Sequence, residues 1–262
     1  MSDRTALVTG AARGMGAAVA RRLAADGATV VALDRCSDDA AIEYPLATRA
    51  QLDSVVADCS NGSLGVTADV GDRTALMAAL DESLSRLGVG CFDAVVCAAG
   101  VLWGGAAVWE TPPDAWSAIH RTNVEGVLNT AAVAIPPMLA AGVPGRFVVV
   151  ASSAAQRGLP RMGAYAASKS AVVSLVRSMA ADLAGSGITA NAVAPGSTDT
   201  DMLAASAAVY DLESTQEFAD HHTSGRLLEP VEVADAVAWL CSEGASGVTG
   251  SVLAVDAGMT AT

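Results

Sequence analysis

The chain has 262 residues, 52 % of them apolar, enough to bury one large core. It carries 15 basic and 28 acidic residues, a net charge of −13, which argues against a phosphate backbone or an anionic lipid surface as partner and fits plain solubility. No apolar run is expected to reach the roughly 18–20 residues that span a bilayer, and Met1-Ser2-Asp3-Arg4 leads into a strand pattern without the parts of a signal peptide, so a cytoplasmic protein is expected.

Short apolar, often β-branched runs alternate with Ala- and Leu-rich stretches. In chain order, strands are predicted at 6–8, 29–33, 64–68, 94–96, 147–150, 189–193 and 252–255. Helices are predicted near 14–26, 72–87, 122–141, 165–184 and 230–242. The strand runs are continuous in polarity, as in strands buried on both faces. This alternation predicts a single α/β domain over 1–262, a doubly wound parallel (Rossmann) sheet of about seven strands with helices on both faces. Two segments break the rhythm. Residues 35–58 hold an ordered loop or flap at 36–47, then a helix start at Thr48-Arg49-Ala50-Gln51 with a capping box. Residues 196–228 form a substrate-loop region with a lid helix at 201–209 and a short helix near 213–222. The five cysteines contain no Cys-x-x-Cys, and His120, His221 and His222 are not spaced as metal ligands, so reduced thiols and no metal are expected.

Gly10, Gly14 and Gly16 follow the first strand and open the first helix in Thr9-Gly10-Ala11-Ala12-Arg13-Gly14-Met15-Gly16. Such a turn lets backbone approach closely, and the helix N-terminus offers free N–H groups to a pyrophosphate. The spacing is Gly-x-x-x-Gly-x-Gly, and its strand–turn–helix setting is what gives it weight. Asp34 ends the second strand, 18 residues beyond Gly16, where its carboxylate would accept both adenosine ribose hydroxyls and repel a 2′-phosphate, favouring NAD over NADP. Arg13 and Arg35 pull the other way, since either would suit a phosphate. Asp69 and Val70 end the third strand and would meet the adenine; Ala98, Ala99 and Gly100 end the fourth, small enough for a cofactor to pass.

Tyr165 and Lys169 are four residues apart, on one face of a predicted helix. A free tyrosine titrates near about 10, and a neighbouring ammonium together with the positive nicotinamide of an oxidised cofactor is expected to lower that value. The phenolate would then take an alcohol proton as hydride leaves the carbon. Ser152, just after the fifth strand, would steady the substrate oxygen, with Ser153 the adjacent alternative.

With these motifs in this order, the sequence resembles the short-chain dehydrogenase/reductase family over nearly its whole length. The resemblance implies that Tyr165, Lys169, Ser152 and Asn123 are catalytic, and that Lys169 also holds the nicotinamide ribose. Asn123 would distort its helix and hold a relay water beside the lysine. It implies that Pro195 and Gly196 shape the turn after the sixth strand, with Thr198 and Thr200 beside the nicotinamide amide. One departure is Cys97-Ala98-Ala99-Gly100, where the family often has Asn-Asn-Ala-Gly; it bears on sheet support rather than on catalysis. More narrowly, Asp34-Arg35-Cys36, Tyr44-Pro45-Leu46-Ala47-Thr48, Arg157-Gly158-Leu159-Pro160 and Ala238-Trp239-Leu240-Cys241-Ser242 look like the mycofactocin-associated branch, which is similar to carveol dehydrogenases. Members of that branch hold a nicotinamide that does not exchange and that an external redox carrier regenerates. A flap over the adenosine would be the physical cause. Family members are usually homotetramers.

Leu102, Trp103, Gln156, Leu159, Met162, Met202, Leu203 and Phe218 are candidates to line an apolar pocket for a lipophilic secondary alcohol. Two other readings stay open: an NADP-dependent carbonyl reductase, and a non-catalytic dinucleotide-binding protein.

Overall fold

A computed structural model describes residues 4–261. Its strands are β1 (Thr5–Thr9), β2 (Thr29–Asp34), β3 (Leu64–Thr67), β4 (Ala94–Cys97), β5 (Arg146–Val150), β6 (Thr189–Pro195) and β7 (Val252–Val255). They form one sheet in the order β3-β2-β1-β4-β5-β6-β7, every neighbour parallel. Every residue of β1, β4, β5 and β6 is buried, which is why these strands read as unbroken apolar runs.

Helices cover both faces. On one side α1 (Gly14–Ala25), α2 (Arg49–Asp58) and α8 (Pro230–Leu240) pack through Val19, Leu23, Leu52, Val237 and Leu240. On the other, α3 (Arg73–Leu87), α5 (Gly126–Ala141) and α6 (Gly163–Asp182) pack through Leu76, Leu80, Met138, Val172 and Val176. Two further helices, α4 (Pro113–His120) and α7 (Asp201–Val209), flank the head of the sheet. The expected capping box starts α2: the Gln51 N–H donates to Thr48 Oγ1 at 3.3 Å and the Thr48 N–H to Gln51 Oε1 at 2.8 Å.

The helix expected at 122–141 is the second half of a longer one. A π-helical turn, Arg121–Glu125, joins α4 to α5 without a break. Eight-residue α4 buries only Ala115, Ala118 and Ile119, too short a stripe to show a periodicity in the sequence. The joined stretch Pro113–Ala141 is long and apolar enough to cross a bilayer by length and composition, against the expectation that no run is. Its buried side chains, Val127, Ala131, Ala134 and Met138, instead belong to the core cluster on the sheet.

Strand order reverses between β1 and β4, so the chain diverges there to opposite faces and leaves a crevice at the carboxyl ends of the strands. The glycine turn sits in it. Gly10 and Gly14 have φ of +67° and +57°, a region that favours glycine. A Cβ on Gly10 would lie 2.5 Å from Ala99 Cα, and one on Gly16 2.1 Å from the Gly10 carbonyl oxygen. Both obstructing atoms are backbone, so neither clash can be relieved by turning a side chain. Gly16→Ala is therefore expected to lower folding stability by about 3 kcal/mol, measured by urea unfolding. An unchanged midpoint would contradict the close approach.

Candidate functional site

The crevice is a cavity of about 120 Å³ lined by Gly10, Arg13, Gly14, Met15 and Gly16 from the turn, Asp34 and Arg35 from the end of β2, and Asp69 and Val70 after β3. Ala98, Ala99 and Gly100 close it from β4, and Thr200 from the start of α7. These thirteen sequence-expected residues thus come together in space. Asp34 is fixed in place: its Oδ2 accepts the Ala12 N–H and its Oδ1 the Cys36 N–H, each at 3.2 Å. A dinucleotide fits this donor set, with a bare backbone cradle, a helix N-terminus and a buried carboxylate at a strand end. The two arginines suited to a 2′-phosphate are otherwise engaged. Arg13 pairs with Asp201 at 3.1 Å, and Arg35 with Asp39 at 3.2 Å. Asp69 receives the Gly71 N–H at 2.8 Å on one oxygen, and the Val70 carbonyl accepts the Asn129 amide at 2.9 Å.

The segment between β2 and α2 is an ordered flap. Leu46 and Ala47 form part of the crevice wall. Ile42, Tyr44 and Leu46 pack with Val101, Ile119 and Ala164. The Leu102 N–H donates to the Tyr44 hydroxyl at 3.2 Å. Burial pushes the Tyr44 phenol up, against the pull of Leu102 and Arg13. Asp39 is the second anchor: Arg121 reaches it at 2.7 Å and Arg35 at 3.2 Å. Burial by itself would raise the Asp39 carboxyl, but the Ala41 N–H and the two guanidiniums hold it below its ordinary value.

Tyr165 and Lys169 share a face of α6, with Lys169 Nζ 5.7 Å from the Tyr165 ring centre. Lys169 is only 5 % exposed and donates to the Val150 carbonyl at 2.9 Å. Lys169 by itself does not bring the Tyr165 phenol down. Burial pushes the phenol up to about 12, with the Ser152 hydroxyl pulling it down and Tyr44 adding to the rise. Burial likewise brings Lys169 down to about 8. Desolvation disfavours both charged forms.

Asn123 lies within the π-helical turn, as a helix distortion requires. Both its amide hydrogens are committed: Nδ2 donates to the Val101 carbonyl and to Ser168 Oγ, both at 2.9 Å, while Oδ1 accepts the Val101 N–H at 2.8 Å. Ser152 and Ser153 both reach the neighbouring cavity. Ser153 Oγ is turned to Met259 Sδ at 3.2 Å, and Ser152 Oγ accepts the Ala154 N–H at 3.1 Å while bearing on Tyr165.

That second cavity, of about 520 Å³, is lined by Ser152, Tyr165, Pro195, Gly196 and Thr198 together with Leu102, Leu159, Met162, Met202, Leu203 and Phe218. Met15, Thr200 and Met202 line both cavities, so the two meet there. Two of the expected lining residues are elsewhere. Trp103 packs under the flap, its indole N–H donating to Glu43 Oε1 at 3.2 Å, and Gln156 points to solvent. An apolar type alone did not distinguish a cavity wall from the underside of the flap. Tyr44, Tyr210 and Met259 were missed as site residues. Met259 arrives from the far end of the chain, and no local pattern announces it. Among the described residues no cluster of His, Cys, Asp and Glu could hold a metal, and all five cysteines are free.

Residues 10–260 match a family profile described as enoyl-(acyl carrier protein) reductase. The chain is 38 % identical to an uncharacterized oxidoreductase of Mycobacterium tuberculosis (strain CDC 1551 / Oshkosh), over 98 % of this chain and 96 % of that one. It is also 38 % identical to cis-4-hydroxycyclohexanecarboxylate dehydrogenase of Sinomonas cyclohexanicum, over 99 % of this chain and 98 % of that one. Among solved structures, carveol dehydrogenase from Mycobacterium avium in complex with NAD superposes with a TM-score of 0.93 at 30 % identity, covering 100 % of this chain and 99 % of that one. The glycine crevice, the Tyr165–Lys169 helix and these matches together place the chain in the short-chain dehydrogenase/reductase family.

Proposed function

We propose that the protein is an NAD-dependent dehydrogenase that interconverts a lipophilic secondary alcohol and its ketone. The observation that carries this reading is the junction of the two cavities. The glycine crevice opens at Met15, Thr200 and Met202 into an apolar chamber whose polar wall holds the Tyr165 and Ser152 hydroxyls. Relatives that act on ring alcohols, by their names, support the substrate class. Asp34 and the engagement of Arg13 and Arg35 support NAD over NADP.

NAD, when bound, supplies the hydride acceptor. The chain's own residues handle the rest. Ser152 holds the alcohol oxygen against Tyr165, which takes the proton as general base. Lys169 holds the nicotinamide ribose and, with the positive charge of the oxidised cofactor, opposes the burial that raises the phenol. Asn123 keeps the proton path open beside Lys169 through its backbone carbonyl. The flap over the adenosine supports retention of NAD between turnovers, with an external redox carrier such as mycofactocin regenerating it. Exposed Trp116, Leu128 and Leu139 on α4 and α5 support pairing of these helices in a homotetramer.

Tyr165→Phe removes the proton-handling hydroxyl and leaves the ring, so kcat is expected to fall about 10³-fold. In the wild type, alcohol oxidation should rise as pH increases through the alkaline range, because the phenolate is the base and burial holds Tyr165 up. Turnover surviving in the variant, or a rate that falls with pH, would contradict the role. Asp34→Ala should weaken the preference for NAD over NADP by at least about tenfold, the worth of one charged hydrogen bond, read from the two dissociation constants. Trp103→Ala and Asp39→Asn loosen the flap and should each speed NAD release about tenfold, equivalent to about 1.4 kcal/mol. Nucleotide extracted after gel filtration and identified by mass spectrometry checks this. Wild-type protein that emerges without NAD would overturn retention.

A further inference from the structure

The turn after β6 has a prop that its own sequence does not announce. Residues 196–199 run beside 226–228 as a short parallel ladder. The Leu228 N–H donates to the Ser197 carbonyl at 3.0 Å, the Asp199 N–H to the Leu228 carbonyl at 2.9 Å, and Thr198 bridges to Leu228. The remaining rung is a side chain. The Ser197 N–H donates to His222 Nε2 at 3.0 Å. The other ring nitrogen, Nδ1, meets the Arg226 carbonyl. A carbonyl only accepts, so Nδ1 carries the proton, and Nε2 presents its lone pair to Ser197. The partners thus assign a neutral, Nδ1-protonated imidazole. The ring is 4 % exposed, and a Cβ on Gly196 would stand 2.9 Å from Nε2, so only glycine lets the imidazole come this close to the turn.

On its other side the same turn faces the chemistry. Gly196, Ser197, Thr198 and Thr200 line the cavity that holds Tyr165 and Ser152. We infer that His222 is a positioning residue for the reaction: its Nε2 lone pair sets the height of the Ser197-Thr198 backbone, and so the register of the nicotinamide end of the cofactor against the Tyr165 hydroxyl. This rests on the dehydrogenase reading above. His222 itself lines neither cavity. Its effect comes through placement, and a displacement of about 1 Å at a reacting centre can cost on the order of 10²-fold in rate.

The test uses the full-length protein, 15N-labelled at histidine. With only three histidines in the chain, His222 is assigned by its loss in His222→Gln. Its 15N shifts should show the proton on Nδ1; a proton on Nε2 would overturn the proposal whatever the activity. Kinetics with cyclohexanol and 1-deuterocyclohexanol are then expressed per bound NAD, so that loss of folded protein does not count. His222→Leu should lower kcat by about 30-fold or more and raise the deuterium isotope effect, with NAD affinity nearly unchanged. His222→Gln, whose amide oxygen can accept the Ser197 N–H, should stay within about threefold of wild type. An unchanged rate and isotope effect in His222→Leu, or equal losses in both variants, would refute the role. A wild type that oxidises no alcohol would sink the dehydrogenase reading instead, and the tautomer measurement would still stand by itself.

Discussion

The whole site hangs on how closely three stretches of backbone meet at the head of the sheet. Gly16 at the start of α1 presses on the Gly10 carbonyl, and Gly10 presses on Ala99 beyond β4, with room for no side chain at either contact. Because backbone obstructs backbone, the approach is all or nothing. It puts a helix N-terminus, two strand ends and the Asp34 carboxylate around one crevice. The reversal of strand order between β1 and β4 opens that crevice, and the three small residues 98–100 keep it clear.

From β4 the chain runs to Val101, where a second constraint takes over. Asn123 grips the Val101 N–H and carbonyl together and gives its remaining donor to Ser168. A buried amide with both its donors and its oxygen engaged costs little and is highly directional. It ties the loop after β4 to α6, on which Tyr165 and Lys169 stand. Arg121, in the same π-helical turn, reaches out to Asp39 in the flap. Flap, Tyr165–Lys169 pair and crevice therefore share one support. On the opposite wall of the cavity, β6 and the His222 prop hold the turn that completes the chamber.

Burial sets the electrostatic character of the pair. Tyr165 is held up at about 12 and Lys169 down at about 8, so the protein alone does not make the phenolate. A positive ring placed beside Tyr165 would lower the phenol, and in the proposed reaction only the oxidised cofactor brings one.

Much of this was legible in the residues. Continuous apolar runs reported the buried parallel strands, Thr48 and Gln51 reported the start of α2, and the glycine turn with Asp34 reported the crevice, because each of these is a local pattern whose cause lies within a few residues. What the sequence by itself determined was the class of fold, the strand–turn–helix cradle and the pairing of Tyr165 with Lys169 on one helical face. The tertiary structure decided the rest. It turned Trp103 into the flap, brought Met259 to Ser153 across 106 positions and set His222 against Ser197 across 25. It also buried Tyr165 deeply enough to hold its phenol up, an effect that Lys169 alone does not offset. These depend on desolvation and on contacts between distant segments, and neither is encoded in any short run of residues: burial is a property of what the folded chain places on every side of a group.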